Sequence, residues 1–181
     1  KSESRRREVS DLERFHLFLV EHEVPHAVIG AAALGVHGVV RATLDFDLLT
    51  TDRRCLTRSF WAPLVAAGWQ LEVTTGDETD PLAGTVRGRG PEELRPLDLI
   101  VGRSQWEAEV VRRAEIHDAG GVLLPVVRPA DLVALKLFAG GWKDGQDVAG
   151  LLDAIPDRQH LVDEVELLLP RLPREARGLW H

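Results

Sequence analysis

The sequence predicts an α+β fold: a mixed β-sheet flanked by helices, with further helices at the C-terminal end. Three observations lead there. Apolar Leu12, Phe15, Leu19 and Val20 recur at helical spacing near the start. Between residues 26 and 128, short apolar or alternating runs follow one another, punctuated by Gly and Pro. Beyond residue 129 the periodicity is helical, which describes one sheet covered by helices.

Taken in order, Arg7 to Glu23 reads as an amphipathic helix ended by Pro25. "HAVIG" is a short strand, and "AAALGVHG" a short helix beginning directly after Gly30. "TLDFDLLT" alternates, with Thr43, Asp45 and Asp47 on one face and Leu44, Phe46 and Leu48 on the other. A helix is expected from Asp52 to Ala67, with Thr51 as N-cap and Gly68 as stop. "WQLEVTT" and "LAGTVRG" are strands separated by the turn "GDETDP", and "GRGPEELRP" is the segment expected to be mobile. "LDLIVG" is a strand, after which Ser104 caps the helix "QWEAEVVRRA". "EIHD" and "GVLLPVV" form a hairpin turning at Ala119 to Gly121. "RPADLVALKLFAGG" starts a helix at Pro129 and closes on Gly140 and Gly141. Helices over Gln146 to Ala154 and Asp157 to Leu169 precede a tail rich in Pro and Arg.

The chain has 181 residues, 44% hydrophobic and 28% charged, which suits one domain with a sizeable core. We expect a single domain over 1–181, with a sheet-containing core at 26–128 and a helical part at 129–181. Its longest weakly polar run, near Ala31 to Val40, falls short of the roughly 20 residues that span a bilayer. No apolar segment follows the basic N-terminus, so a cytoplasmic protein with no membrane partner is expected. One cysteine, Cys55, agrees with a reducing compartment. A net charge of −7 argues against a polyanion held over a broad surface. Local arginines could still meet one, among them Arg53, Arg54 and Arg58, Arg87 with Arg89, and Arg112 with Arg113.

The two aspartates of "DFD" need an explanation. Strand residues two apart point the same way at about 6.6 Å. Two carboxylates at that separation repel by roughly 2.5 kcal/mol at an effective dielectric near 20. A solvated strand face would screen them, and a hard divalent ion such as Mg²⁺ would offset the repulsion directly. Asp98 also interrupts an apolar strand, with Leu97, Leu99 and Val101 opposite it. Were that strand beside the first, three carboxylates would converge on one face, as two-metal phosphoryl chemistry requires; in a chain with 29 acidic residues the recurrence can also be coincidence. Gly30, between strand and helix, is either a tight turn or a phosphate cradle in which backbone N–H groups and the helix dipole face an anion.

"VIGAAALGVHGVVRATLDFDLL" resembles the signature of the nucleotidyltransferase superfamily with the polymerase-β-like palm: a Gly followed by Gly or Ser, a short helix, then an Asp-x-Asp strand. "VVRPADLVALKLFAGGWKDGQDVAGLL" is similar to the downstream segment of AbiEii-type nucleotidyltransferases, which include toxins of bacterial toxin–antitoxin pairs, and more loosely to aminoglycoside nucleotidyltransferases. The resemblance runs from about His26 to Leu152. It implies that Gly30 and the Ala31 backbone contact a triphosphate, and that Asp45 and Asp47 bind metal. Asp98 would be the third metal-binding carboxylate and a base toward the acceptor hydroxyl. Arg41 would neutralise phosphate. Lys136 would join the catalytic and nucleotide-binding residues, with Asp147 beside it in the nucleotide-binding set. Ala31 departs from the pattern, because the family commonly has Ser or Gly there.

The activity so implied is transfer of a nucleoside monophosphate from an NTP to a hydroxyl or phosphate, with two Mg²⁺ ions, or Mn²⁺ in their place. The acceptor is open among a tRNA end, a protein and a small molecule, and a cognate antitoxin is an implied partner. The alternatives are an antibiotic-modifying enzyme and a nucleotide- or partner-binding protein that has lost catalysis. Independently of the resemblance, Lys136 at the edge of its helix's apolar stripe either reaches the acids or snorkels to water. Asp147 could simply favour the N-terminal turn of its helix.

Overall fold

The computed structural model describes residues 9–43, 45–92 and 95–180. Leu44 of the expected acidic strand, Glu93 and Leu94 of the expected mobile loop, and the first residues of the expected N-terminal helix lie outside them. A seven-stranded mixed sheet runs through the described residues in the order β3-β4-β5-β2-β1-β7-β6. Its strands are β1 Ala27–Val28, β2 Phe46–Thr50, β3 Gln70–Thr75, β4 Gly84–Arg89, β5 Leu97–Val101, β6 Glu115–Ala119 and β7 Val122–Val126. The helices are α1 Asp11–Glu21, α2 Gly30–Val36, α3 Ala62–Ala66, α4 Gln105–Arg112, α5 Pro129–Ala139, α6 Trp142–Ala154, α7 Arg158–Leu168 and α8 Arg174–Gly178.

The pattern of apolar residues explains most of this. Phe46 and Leu48 of β2, and Leu97, Leu99 and Val101 of β5, are buried, as their alternation requires. Ser10 caps α1 by accepting from Glu13 N, and its Phe15 stacks on Trp61 at 5.4 Å. Gly120 and Gly121, both at positive φ, turn the β6–β7 hairpin in two residues. The α5 helix begins with Pro129 and stops at Gly140, which is left-handed at φ 68°. At the head of α4 the capping box is closed by Glu107, whose carboxylate accepts from Ser104 N at 2.8 Å. None of the helices among the described residues is long and apolar enough to cross a membrane.

Three expectations need correction. The helix expected over Asp52 to Ala67 is two 3₁₀ turns, Arg53–Leu56 and Arg58–Trp61, followed by the short α3. Pro63 would break a continuous helix and is tolerated only in the first turn of α3; Asp52, not Thr51, caps the first 3₁₀ turn by accepting from Arg54 N. The α6 helix starts at Trp142, four residues before the expected Gln146, because Gly141 serves as its N-cap and Asp144 accepts from Gly141 N. Within "GRGPEELRP", Gly88 and Arg89 belong to β4, and the buried Asp11 carboxylate accepts from Glu92 N at 3.0 Å.

Candidate functional site

Register brings the acids together. The parallel pairing of β2 with β5 sets Asp47 directly opposite Asp98, and Asp45 sits in the bend that leads into β2. Thr43 closes that bend, its hydroxyl donating to Asp45 O at 3.0 Å. On the other side of β5, antiparallel β4 sets Arg87 opposite Asp98. The guanidinium bridges two acids, with Nη1 3.3 Å from Asp98 Oδ2 and Nη2 3.2 Å from Asp45 Oδ1.

Gly30 lies on the opposite flank. Ile29 N donates to Asp47 O at 3.0 Å, so the chain turns into α2 directly beside Asp47. A Cβ built on Gly30 would come within 2.3 Å of Asp47 Oδ2, and Gly30 has φ +64°. Both facts require glycine there. The first-turn N–H groups of α2 at Gly30 and Ala31 precede any intrahelical acceptor, and no side chain caps the helix.

Electrostatics follow from this packing. Burial pushes the Asp47 carboxyl up from 3.8 to about 6, with the charges of Asp98 and Asp45 adding to the effect and Lys136 and Arg87 opposing it. Asp98 is also raised, first by burial, against the pull of Arg87. An anionic cluster that resists full ionisation is one that a cation would relieve.

A second cluster stands beside the first. Lys136 of α5 contacts Asp144 at 2.9 Å and Asp147 at 2.8 Å, both on α6, and Arg41 also pairs with Asp147. Asp147 is buried in the interior of α6, which overturns its expected place in the N-terminal turn; that turn holds Asp144. Lys136 is partly buried, its side chain 12% exposed, and its ammonium pairs with both acids, so snorkelling to water does not describe it. The structure therefore gathers Gly30, Ala31, Asp45, Asp47 and Asp98 in one place and Arg41, Lys136 and Asp147 in a flanking ion-pair cluster.

The chain is similar to an antigenic nucleotidyltransferase-like protein from Paracoccidioides brasiliensis, at TM-score 0.51 and 17% identity, over 92% of this chain and 89% of that one. The fold is that of the nucleotidyltransferases. ANT(2″)-Ia, solved in complex with adenylyl-2″-tobramycin, is similar at TM-score 0.55 and 13% identity, over 88% of this chain and 95% of that one. A nucleotidyltransferase structure from Thermotoga maritima is similar at TM-score 0.51 and 12% identity, over 80% and 91% of the two chains. No protein-family model and no curated protein matches the chain by sequence.

Within this nucleotidyltransferase fold, two residues escaped sequence reasoning as site members. Arg87 was visible only as a surface arginine in "TVRGR"; its alternation in β4 was a usable signal, but the β4–β5 register was not. Asp144 lay in an unrecognised first turn. Cys55 is buried with its thiol pushed up to about 12, and His37, at the end of α2, donates from Nε2 to Val127 O at 2.7 Å.

The donors suit a hard ion. Carboxylate oxygens without imidazole or thiolate are what Mg²⁺ takes, and the bare Gly30 leaves the Asp47 carboxylate its space. In this arrangement Arg87 bridges Asp45 and Asp98, and among the described residues no three ligating groups are closed around one point.

Proposed function

We propose that the protein is a Mg²⁺-dependent nucleotidyltransferase. The observation that carries the reading is the convergence of Asp45, Asp47 and Asp98 from two paired strands beside the Gly30 turn. Asp45, Asp47 and Asp98 would hold the divalent ions, which when bound supply charge neutralisation for the attacking and leaving oxygens. The N–H groups of Gly30 and Ala31 bind triphosphate oxygens, aided by the positive end of α2. Asp98 takes the proton of the acceptor hydroxyl. The acceptor oxygen then bonds to the α-phosphorus, the bond to the β-phosphate bridging oxygen breaks, and pyrophosphate leaves with that electron pair.

Arg41 and Lys136 reach this chemistry through Asp147. One buried anion orients two cations at the flank of the acids, and Lys136 is near enough to Asp47 to pull its carboxyl downward. We assign them to positioning and to neutralising phosphate charge.

Within this reading the acceptor is a tRNA end, a protein or a small molecule. The resemblance of residues 126–152 to AbiEii-type sequences supports a toxin with a cognate antitoxin, and the likeness to ANT(2″)-Ia supports an aminoglycoside. A second reading, a nucleotide- or partner-binding protein without catalysis, is favoured by two observations: Ala31 lacks a hydroxyl, and Arg87 bridges two of the three acids. Calorimetric titration of each NTP with Mg²⁺ into wild type and Asp47→Asn tests the site. The proposal expects an NTP that binds only with the ion and much more weakly to the variant. No NTP binding, or equal binding by both proteins, refutes it.

A further inference from the structure

Arg87 has a geometry that the proposed chemistry does not use. Its two terminal nitrogens address different carboxylates, Asp98 on β5 and Asp45 in the bend before β2, so the guanidinium joins two parts of the chain. Strand register fixes it there, because Arg87 and Asp47 stand on either side of Asp98 in adjacent ladders.

Charge balance shows what the bridge does. In the flanking cluster, Arg41 and Lys136 face Asp144 and Asp147, two cations against two anions, and that group is neutral. In the acid cluster, Arg87 pairs with two of the three carboxylates while Lys136 acts on Asp47 from the flanking group, and the formal charges of Arg87, Asp45, Asp47 and Asp98 leave two negative charges, the charge of one divalent ion. The Arg87 contacts are at 3.2 and 3.3 Å on a side chain 44% exposed. Exposed pairs of that kind are individually weak, enough to orient the acids and weak enough to yield. Mg²⁺ binds oxygen at about 2.0–2.1 Å, which leaves no space for a guanidinium between the same two carboxylates.

We propose that Arg87 is an internal cation that holds Asp45 and Asp98 in the ion-free protein and that a divalent ion must displace. Ion entry and release of the guanidinium are then one event. The inference rests on the reading of Asp45, Asp47 and Asp98 as ion ligands. It deepens that reading by making ion affinity depend on where Arg87 sits. A released guanidinium, still tethered at the edge of the acids, is a planar fork suited to phosphate oxygens, so nucleotide and ion reinforce each other's binding.

The test is titration of Mn²⁺ alone into the full chain, followed by calorimetry and by the paramagnetic signal of free ion, for wild type, Arg87→Gln and Arg87→Lys. The expected result is about tenfold tighter Mn²⁺ binding by Arg87→Gln, with Arg87→Lys between the two. Added guanidinium chloride, against matched sodium chloride, should weaken Mn²⁺ binding to Arg87→Gln more than to wild type. Equal or weaker Mn²⁺ binding by Arg87→Gln, while wild type binds, overturns the role of Arg87 and leaves the carboxylate reading standing. No Mn²⁺ binding by either protein overturns both. Should Arg87→Gln fail to fold by its melting curve, Arg87→Lys decides alone: its ammonium cannot bridge both acids as the guanidinium does, so affinity no tighter than wild type overturns the proposal.

Discussion

The carboxylate of Asp47 occupies the space that a side chain at Gly30 would need, with Oδ2 2.3 Å from where a Cβ would stand. Substitution of this glycine is therefore a substitution of the acid site as well. Gly30→Ala introduces strain at φ +64° of about 1–3 kcal/mol and displaces Asp47. The expected outcome is a lower melting temperature together with loss of ion-dependent NTP binding of at least about tenfold. Retention of full binding in a destabilised protein would separate the two and contradict the contact.

Asp47 is costly to the ion-free fold. Its folded-state carboxyl is raised from 3.8 to about 6, so the folded protein binds this proton more tightly than the unfolded chain does. That contribution to stability is fully present below about pH 4 and is lost as pH rises through about 6. Asp47→Asn removes this partly buried charge, so at pH 7 in chelator the variant should be more stable than wild type by about 1–3 kcal/mol, with the gap closing toward pH 4. Urea unfolding across that pH range measures it. The same variant should lose transfer, the trade expected where an acid site is kept for function.

Asp147 is the shared anion of Arg41 and Lys136. Asp147→Ala leaves Lys136 with Asp144 alone and removes the carboxylate that pairs with Arg41, and should cost about 3 kcal/mol by urea unfolding. The pair Lys136→Met with Asp147→Leu should recover part of that loss, because both buried charges go together. Full stability in Asp147→Ala would mean that the cluster is only a solvated surface network.

Ala31 offers a gain of function. A serine there adds a hydroxyl in the first turn of α2 while keeping the backbone N–H. If the turn cradles phosphate, Ala31→Ser should tighten NTP binding by the worth of one hydrogen bond, about 0.5–1.5 kcal/mol or up to about tenfold. Unchanged affinity would place the phosphate elsewhere.

Much of the fold was legible because local chemistry and tertiary structure agree. Phe46 and Leu48 alternate with Asp47, Gly120 and Gly121 can adopt the hairpin's positive φ, and Pro129 and Gly140 bracket a helix. The helix expected from Asp52 failed where Pro63 interrupts the hydrogen-bond ladder and Asp52 prefers to cap a tighter turn. Of the site, the three acids and the glycine could be read from their order along the chain. Arg87 could not, because its partners depend on cross-strand register, and the pairing of Arg41 with Asp147 joins residues 106 positions apart. Burial of Asp147 was equally hidden, since the first turn of α6 begins at Trp142 behind two glycines.

Asp45, Asp47 and Asp98 are proposed to support nucleotidyl transfer. The most direct measurement offers α-labelled NTPs with Mg²⁺ to the protein, with cell extract, tRNA and aminoglycosides as acceptors, and follows where the label goes. The expected result is covalent transfer of label to an acceptor with release of pyrophosphate, dependent on the ion and abolished in Asp45→Ala and Asp47→Asn. Binding of NTP with no transfer to any acceptor, or undiminished transfer by Asp45→Ala, would contradict it.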